Sequence, residues 1–167
     1  NKTSGQIYEQ MSQMAQLYAQ ELDNRFLRIS RNLFSAIMDT NETNSTFWGN
    51  VNLMKNGDYS EYAIGKLREE YFSSAWEYGT EYRIFLYTND TDKLYQLSLS
   101  SDGNYTMSPE IAASIREQID KLDEKAYAVK RKWDVLECDD EVYICKIAQK
   151  NGIALGCIVN VKSILEP

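Results

Sequence analysis

The chain has 167 residues and 43% hydrophobic content, enough for one domain with a sizeable core. Eighteen basic side chains against 25 acidic ones leave a net charge of −7, which repels a phosphate-coated partner and argues against nucleic acid as a ligand. Histidine is absent, which removes the commonest general base and metal ligand, while eight Gly and two Pro, under half the usual share, exclude collagen-like or low-complexity sequence and favour long regular elements.

From Gln6 to Met38 the apolar residues Ile7, Met11, Met14, Tyr18, Leu22, Phe26, Ile29, Leu33 and Ile37 recur at steps of three or four, which predicts one long amphipathic helix over residues 1–38. A helix of that length reaches about 48 Å at 1.5 Å per residue, more than the roughly 30–40 Å width of a domain this size. It is therefore expected to project and to pair with a partner helix at one end. Asp39 to Tyr59 reads as loop, rich in Asn, Thr and Ser, with Phe47 and Trp48 as anchors. A second helix starts with Ser60 as N-cap, shows an apolar face of Tyr62, Ile64, Leu67, Tyr71, Phe72 and Ala75, and ends near Gly79.

The period then changes to two. Tyr82–Thr88 and Lys93–Leu99 predict a hairpin around residues 89–92. Ser108-Pro109 caps a third helix through Ile111, Ile115, Ile119 and Leu122. Three strands close the chain: Lys132–Glu137, Val142–Ala148 and Ile153–Val161, joined at Asp139-Asp140 and Asn151-Gly152. The expected fold is α+β: one domain over residues 1–167, with a five-stranded antiparallel sheet, the long N-terminal helix, and two further helices within residues 60–167.

No apolar run approaches the roughly 18 residues of a membrane span. The helical pattern begins within a few residues of Asn1, and Pro167 directly follows an apolar strand, so the chain reads as a segment cut from a longer protein. A type I′ turn at Asn151-Gly152 sets Lys150 opposite Ile153 and Lys146 opposite Cys157, with Cys145 on the other side; Cys138 falls opposite Glu141. No disulfide follows among the three cysteines, which reads as a cytosolic protein or as the outer face of an anaerobe. The Asn-x-Ser/Thr triplets at Asn1, Asn41, Asn44, Asn89 and Asn104 read as exposed polar loops, or as glycan acceptors in a eukaryotic secreted protein.

The same register sorts the last strands into two faces. The first carries Trp133, Val135, Val142, Ile144, Lys146, Ile153, Leu155, Cys157 and Val159; the second carries Asp134, Leu136, Tyr143, Cys145, Ile147, Ala154, Gly156 and Ile158. Both are apolar enough to need cover. Ala154 and Gly156 predict close approach of the long N-terminal helix on the second face. On the first face, Trp133, Lys146 and Cys157 form a row that reads either as a pocket for a carboxylate or a sugar, or as a cation–π contact. Arg83, Tyr87 and Tyr95 are expected to reach the same cavity, and the twelve tyrosines supply polar-tipped lining or ordinary half-buried packing.

No nucleophile elbow, phosphate-binding glycine loop or dinucleotide fingerprint is present. Asp139-Asp140-Glu141 and Asn89-Asp90-Thr91-Asp92 read as solvated turns, and Lys130-Arg131-Lys132 as the solvent edge of a strand. No cofactor is expected.

The order of elements, with Tyr143–Ala148, Asn151–Asn160 and Val161–Leu165 at the end and the spacing of Gly152, Gly156 and Asn160, resembles extracellular Cache (PAS-like) sensor domains, most closely those of bacterial two-component sensor histidine kinases of the YesM-like group. The resemblance implies a non-enzymatic sensor on the outer side of a bacterial membrane, between two flanking transmembrane helices. It implies a homodimer through the N-terminal helix and a cytoplasmic kinase as output. The implied partner is a small molecule (sugar, amino acid or carboxylate) or a solute-binding protein. Amino-acid-binding members carry a tyrosine, arginine, tryptophan and aspartate set, for which Arg83, Trp133 and Asp134 match in type. The alternatives are a secreted or surface adhesion module and a carboxylate-based hydrolase.

Overall fold

The computed structural model describes residues 3–14, 16, 17, 35, 37, 46–57, 59–71, 82–100, 102–122, 128, 129 and 133–165. Helix α1 covers residues 4–14, 16 and 17, and residues 35 and 37 are also helical. There follow α2 (Thr46–Asn56), α3 (Ser60–Tyr71), β1 (Tyr82–Thr88), β2 (Lys93–Gln96), α4 (Pro109–Asp120), β3 (Ala128–Val129), β4 (Asp134–Cys138), β5 (Glu141–Lys150), β6 (Ile153–Asn160) and α5 (Val161–Leu165). The expected unbroken rod to Met38 depends on residues 18–34, which lie outside the described ones, as do the basic cluster at 130–132 and the end of the second helix.

The fold is α+β, and every strand pairing is antiparallel. The order β2-β1-β6-β5 ends on an edge shared by β4, beside residues 141–145, and by the short β3, beside 148–149, so the sheet is five strands wide. Two turns impose the local register. Asp139 and Asp140 sit at φ 51° and 62°, Asn151 and Gly152 at 52° and 80°, the left-handed pairs of a type I′ hairpin. Lys150 therefore faces Ile153, Lys146 faces Cys157 and Cys138 faces Glu141, as the residue count requires. All three cysteines are free and buried. β2 stops at Gln96, short of the expected Leu99. Beyond it the Ser98 hydroxyl stands in for the ladder, accepting from Ile84 N at 2.9 Å and donating to Tyr82 O at 2.9 Å.

Both faces are covered, and α1 is on the face opposite to the one expected. The first face packs on Ile37, on Phe47, Trp48, Val51 and Met54 of α2, and on Ala63, Ile64 and Leu67 of α3; Tyr8 and Met11 of α1 join the same cluster. The second face packs on Ile111 and Ile115 of α4 and on Leu122 just beyond its end. The space at Gly156 receives an aromatic ring from within the sheet rather than a helix. A Cβ there would lie 2.6 Å from Phe85 Cζ and 2.5 Å from the Lys146 carbonyl oxygen.

The stretch read as loop contains α2. Its buried apolar residues at 47, 48, 51 and 54 have helical spacing that the surrounding Asn and Thr disguise. On α1 the buried side is set by Tyr8 and Met11, which leaves Ile7 46% exposed. α4 starts as its sequence requires: Ser108 is extended (φ −62°, ψ 147°), its side chain accepts from Ile111 N, and Pro109 fills the first turn, where no amide hydrogen is needed.

Candidate functional site

The six residues singled out in the sequence divide between the two faces of the sheet. Lys146 lies with its Nζ 5.9 Å from the centre of the Trp133 ring, and Tyr95 packs on the same cluster. Arg83, Tyr87 and Asp134 pair with Ile158, Ala154 and Cys145, which puts them on the other face. A sheet separates the two sets, so the expected convergence of Arg83 and Tyr87 with Tyr95, Trp133 and Lys146 does not occur. Cys157, the third member of the row, is buried, and burial pushes its thiol well above the usual range.

A cavity of about 310 Å³ opens instead on the second face, at the end where three turns meet. The register of β1 on β6 sets Thr88 opposite Ile153, which brings the β1–β2 turn beside the β5–β6 turn. The Asn89 amide donates to the Gly152 carbonyl at 2.8 Å and ties them together. The last turn of α4 closes the third side with Ile119 and Asp120. Ala154 and Ile119 supply apolar lining, and Gly152 and Ile153 border it at the turn. Tyr87, Asn89, Asp120, Gln149, Lys150 and Asn151 supply the polar lining.

Four side chains fix the rim. Tyr87 Oη donates to Asp92 Oδ1 at 2.6 Å, and Arg116 of α4 donates to the Asp92 carbonyl at 2.9 Å, with its other terminal nitrogen 3.5 Å from that carboxylate. Asp92 adopts φ 49°, so the turn presents its carbonyl and its carboxylate to the same arginine. Hydrogen bonding to Asp92 first, and burial second, push the Tyr87 phenol up to about 12, so it stays protonated at any physiological pH. On the other side of the β5–β6 turn, Lys55 Nζ donates to the Asn151 carbonyl at 2.7 Å.

No family model, curated protein or solved structure matches the chain. The cavity itself therefore carries the functional argument. Of the residues around it, Tyr87 alone was singled out in the sequence. Asn89 and Asn151 were visible there as turn residues. Their juxtaposition depends on β1 pairing with β6 across some 65 residues of chain, for which the sequence holds no local signal. Among the described residues no group of His, Cys, Asp and Glu is arranged to hold a metal ion, and no helix is long and apolar enough to cross a membrane.

Proposed function

We propose that this chain is the ligand-sensing domain of a membrane-bound receptor, an extracytoplasmic PAS-like module that reports occupancy to a cytoplasmic histidine kinase. The observation that carries the reading is the position of the cavity at one end of the central strand β6, whose other end runs directly into α5. Ile153 and Ala154 line the cavity, and Val161 opens the helix after Asn160. Eight extended residues span about 26 Å, a stiff connection between site and exit.

The exit is itself clamped. Asn160 Oδ1 accepts from Lys162 N at 2.9 Å, and Asn160 Nδ2 donates to Glu141 Oε2 at 3.1 Å, which also receives the Tyr143 hydroxyl at 3.1 Å. A ligand that draws α4 toward the two turns loads one end of β6, and the first turn of α5 moves with the other. Coupling of this kind requires the ligand to prefer one of two arrangements, and so its differential affinity sets the size of the signal.

The test is a thermal-shift screen of small metabolites followed by amide-resolved NMR with any that bind. A ligand at a hundred times its Kd adds about 2.7 kcal/mol, a rise of roughly 5–10 °C for a domain of this length. Sensing is supported when a binder shifts the amides of Gly152–Ala154 and, in the same titration, those of Val161–Leu165. Shifts confined to the cavity, with α5 unmoved, refute the transmission step.

A further inference from the structure

We infer that the cavity between α4 and the two hairpin turns takes a small primary ammonium ligand with an aliphatic or aromatic body, its charged end held by the Asp120 carboxylate, the Tyr87 hydroxyl oxygen and the Asn89 side-chain oxygen. This inference rests on the sensing reading above and narrows it to one chemical class.

Asp120 stands against the electrostatics of its own helix. It ends α4, where the aligned peptide dipoles give negative potential, and the last turn holds no basic residue. Lys121, which caps the helix, turns back to Glu117 at 3.8 Å. Among the described residues no hydrogen bond or ion pair reaches the Asp120 carboxylate. A negative charge so placed costs stability unless a cation offsets it, and it lines the cavity.

Two neutral acceptors line the same cavity. Tyr87 gives its proton to Asp92, so toward a ligand its oxygen accepts. Hydrogen bonding to Asp92 is the main reason that phenol is pushed up to about 12, and the charge of Asp120 adds to it. Asn89 commits its backbone N–H to the Gly152 carbonyl and its backbone carbonyl to the Asp92 amide, which leaves its side-chain oxygen available. Three acceptors match the three N–H donors of a primary ammonium.

The neighbouring cations hold other partners. Arg116 is bound to the carbonyl and carboxylate of Asp92. Lys55 donates to the Asn151 carbonyl, and Lys150, itself a lining residue, has its ammonium 5.7 Å from the centre of the Trp48 ring. Lys55 and Trp48 both belong to α2, which covers the first face, whereas Tyr87 and Asp120 lie on the second. The two lysines therefore lower the attraction of a cation for Asp120 without occupying it, and the affinity expected is that of an exposed ion pair strengthened by burial of the ligand's body. An anion would gain their attraction at a distance but meet Asp120 in contact. One unpartnered carboxylate accounts for one ammonium, and a second would approach the lysines, so a monoamine fits better than a diamine. Ile119 and Ala154 give its body an aliphatic surface, and the volume of about 310 Å³, at the small end of ligand pockets, admits a single ring or a short chain.

The experiment titrates the ¹⁵N-labelled chain with benzylamine, cyclohexylamine and n-pentylamine, with the alcohols of the same shape, and with benzoate and pentanoate. An amine is expected to shift the amides of residues 87–89, 119–120 and 149–154 at a Kd at least about fivefold below that of its alcohol, and to weaken several-fold between about 20 and 500 mM NaCl. Asp120→Asn is expected to weaken the amine about tenfold, while Asp120→Glu, which keeps the charge, stays within a few-fold. The position is exposed and its charge opposes the helix dipole, so the unliganded melting temperature of Asp120→Asn should hold or rise slightly. Alcohols that bind as tightly as the amines, or carboxylates that bind at these amides, overturn the ligand class and leave the sensing reading to its own test at α5. Amine binding unchanged in Asp120→Asn overturns the site. An amine that shifts the cavity amides but not those of Val161–Leu165 upholds the class and refutes the transmission step. Silence of all three groups at about 10 mM, where an exposed ion pair with a buried body should register, overturns the class.

Discussion

Gly156 is the most closely packed of the described glycines, and its substitution measures how firmly the second face is built. The residue is paired with Phe85 on one side and with Ile147 on the other. An alanine Cβ would sit 2.5 Å from the Lys146 carbonyl oxygen, 2.6 Å from Phe85 Cζ and 3.0 Å from Phe85 Cε1, against an ordinary carbon contact of about 3.5–4.0 Å. The carbonyl belongs to a neighbouring strand paired on both sides, so it cannot retreat without opening the ladder. The ring has to leave its rotamer, at about 0.5–1.5 kcal/mol. Overpacking of this kind costs about 1–3 kcal/mol, and the better strand propensity of alanine returns up to about 1 kcal/mol.

Gly156→Ala is therefore expected to lose about 2 kcal/mol, read as a melting temperature lower by roughly 4–8 °C or as a shifted urea midpoint at unchanged slope. Phe85→Leu in the same chain removes the ring contact but not the carbonyl contact. A double-mutant cycle should then recover part of the loss, with a coupling of about 1 kcal/mol. Gly156→Ala within 0.5 kcal/mol of the natural chain would refute the reasoning, since neither contact would then constrain the face on which the cavity floor lies.

Two further outcomes follow from single side chains. Ser98→Ala leaves Tyr82 O and Ile84 N without the hydroxyl that joins them in a buried position, and the expected loss is about 1–3 kcal/mol by urea unfolding; Ser98→Thr, which keeps the hydroxyl, should recover most of it. Burial first, and the hydrogen bond to Glu141 second, push the Tyr143 phenol up to about 12. The unfolded chain releases that proton near pH 10 while the native state keeps it, so this contribution is whole below pH 10 and is lost as pH rises toward 12. Two pH units correspond to at most about 2.7 kcal/mol, and screening at the exposed Glu141 leaves on the order of 1–2. Between pH 9.5 and 11 the stability of Tyr143→Phe should fall less steeply than that of the natural chain; parallel slopes would remove the assignment.

Much of the sheet could be read from short-range chemistry. Asn151-Gly152 and Asp139-Asp140 demand left-handed backbone, which sets the register of β4, β5 and β6 and with it the two faces, and Ser108-Pro109 fixes the start of α4. α2 is hidden in the sequence because its four buried apolar residues lie among Asn, Thr and Gly, where composition argues for loop more loudly than spacing argues for helix. Ala154 and Gly156 suggest room for a helix on the second face, but α1 packs on the first. Small residues in a strand signal close approach without naming what approaches, and the neighbour at Gly156 is Phe85 from the adjoining strand.

The same distinction explains why the six candidate residues divide between the two faces. Alternation along one hairpin orders its residues relative to each other, but which face each strand shares with the next group depends on how β1 meets β6. Thr88 opposite Ile153 puts Tyr87 beside Ala154 and sends Tyr95 to the other side. A shift of this pairing by one residue would reverse both, carrying Tyr87 to the lysine and tryptophan and emptying the cavity of its phenol. The cavity is thus a product of one long-range register, and the bond from Asn89 to the Gly152 carbonyl, together with the close fit of Phe85 over Gly156, holds that register at both the rim and the middle of the strand. Residues far apart in sequence make the site, and the contacts that secure it are those between strands that no hairpin connects.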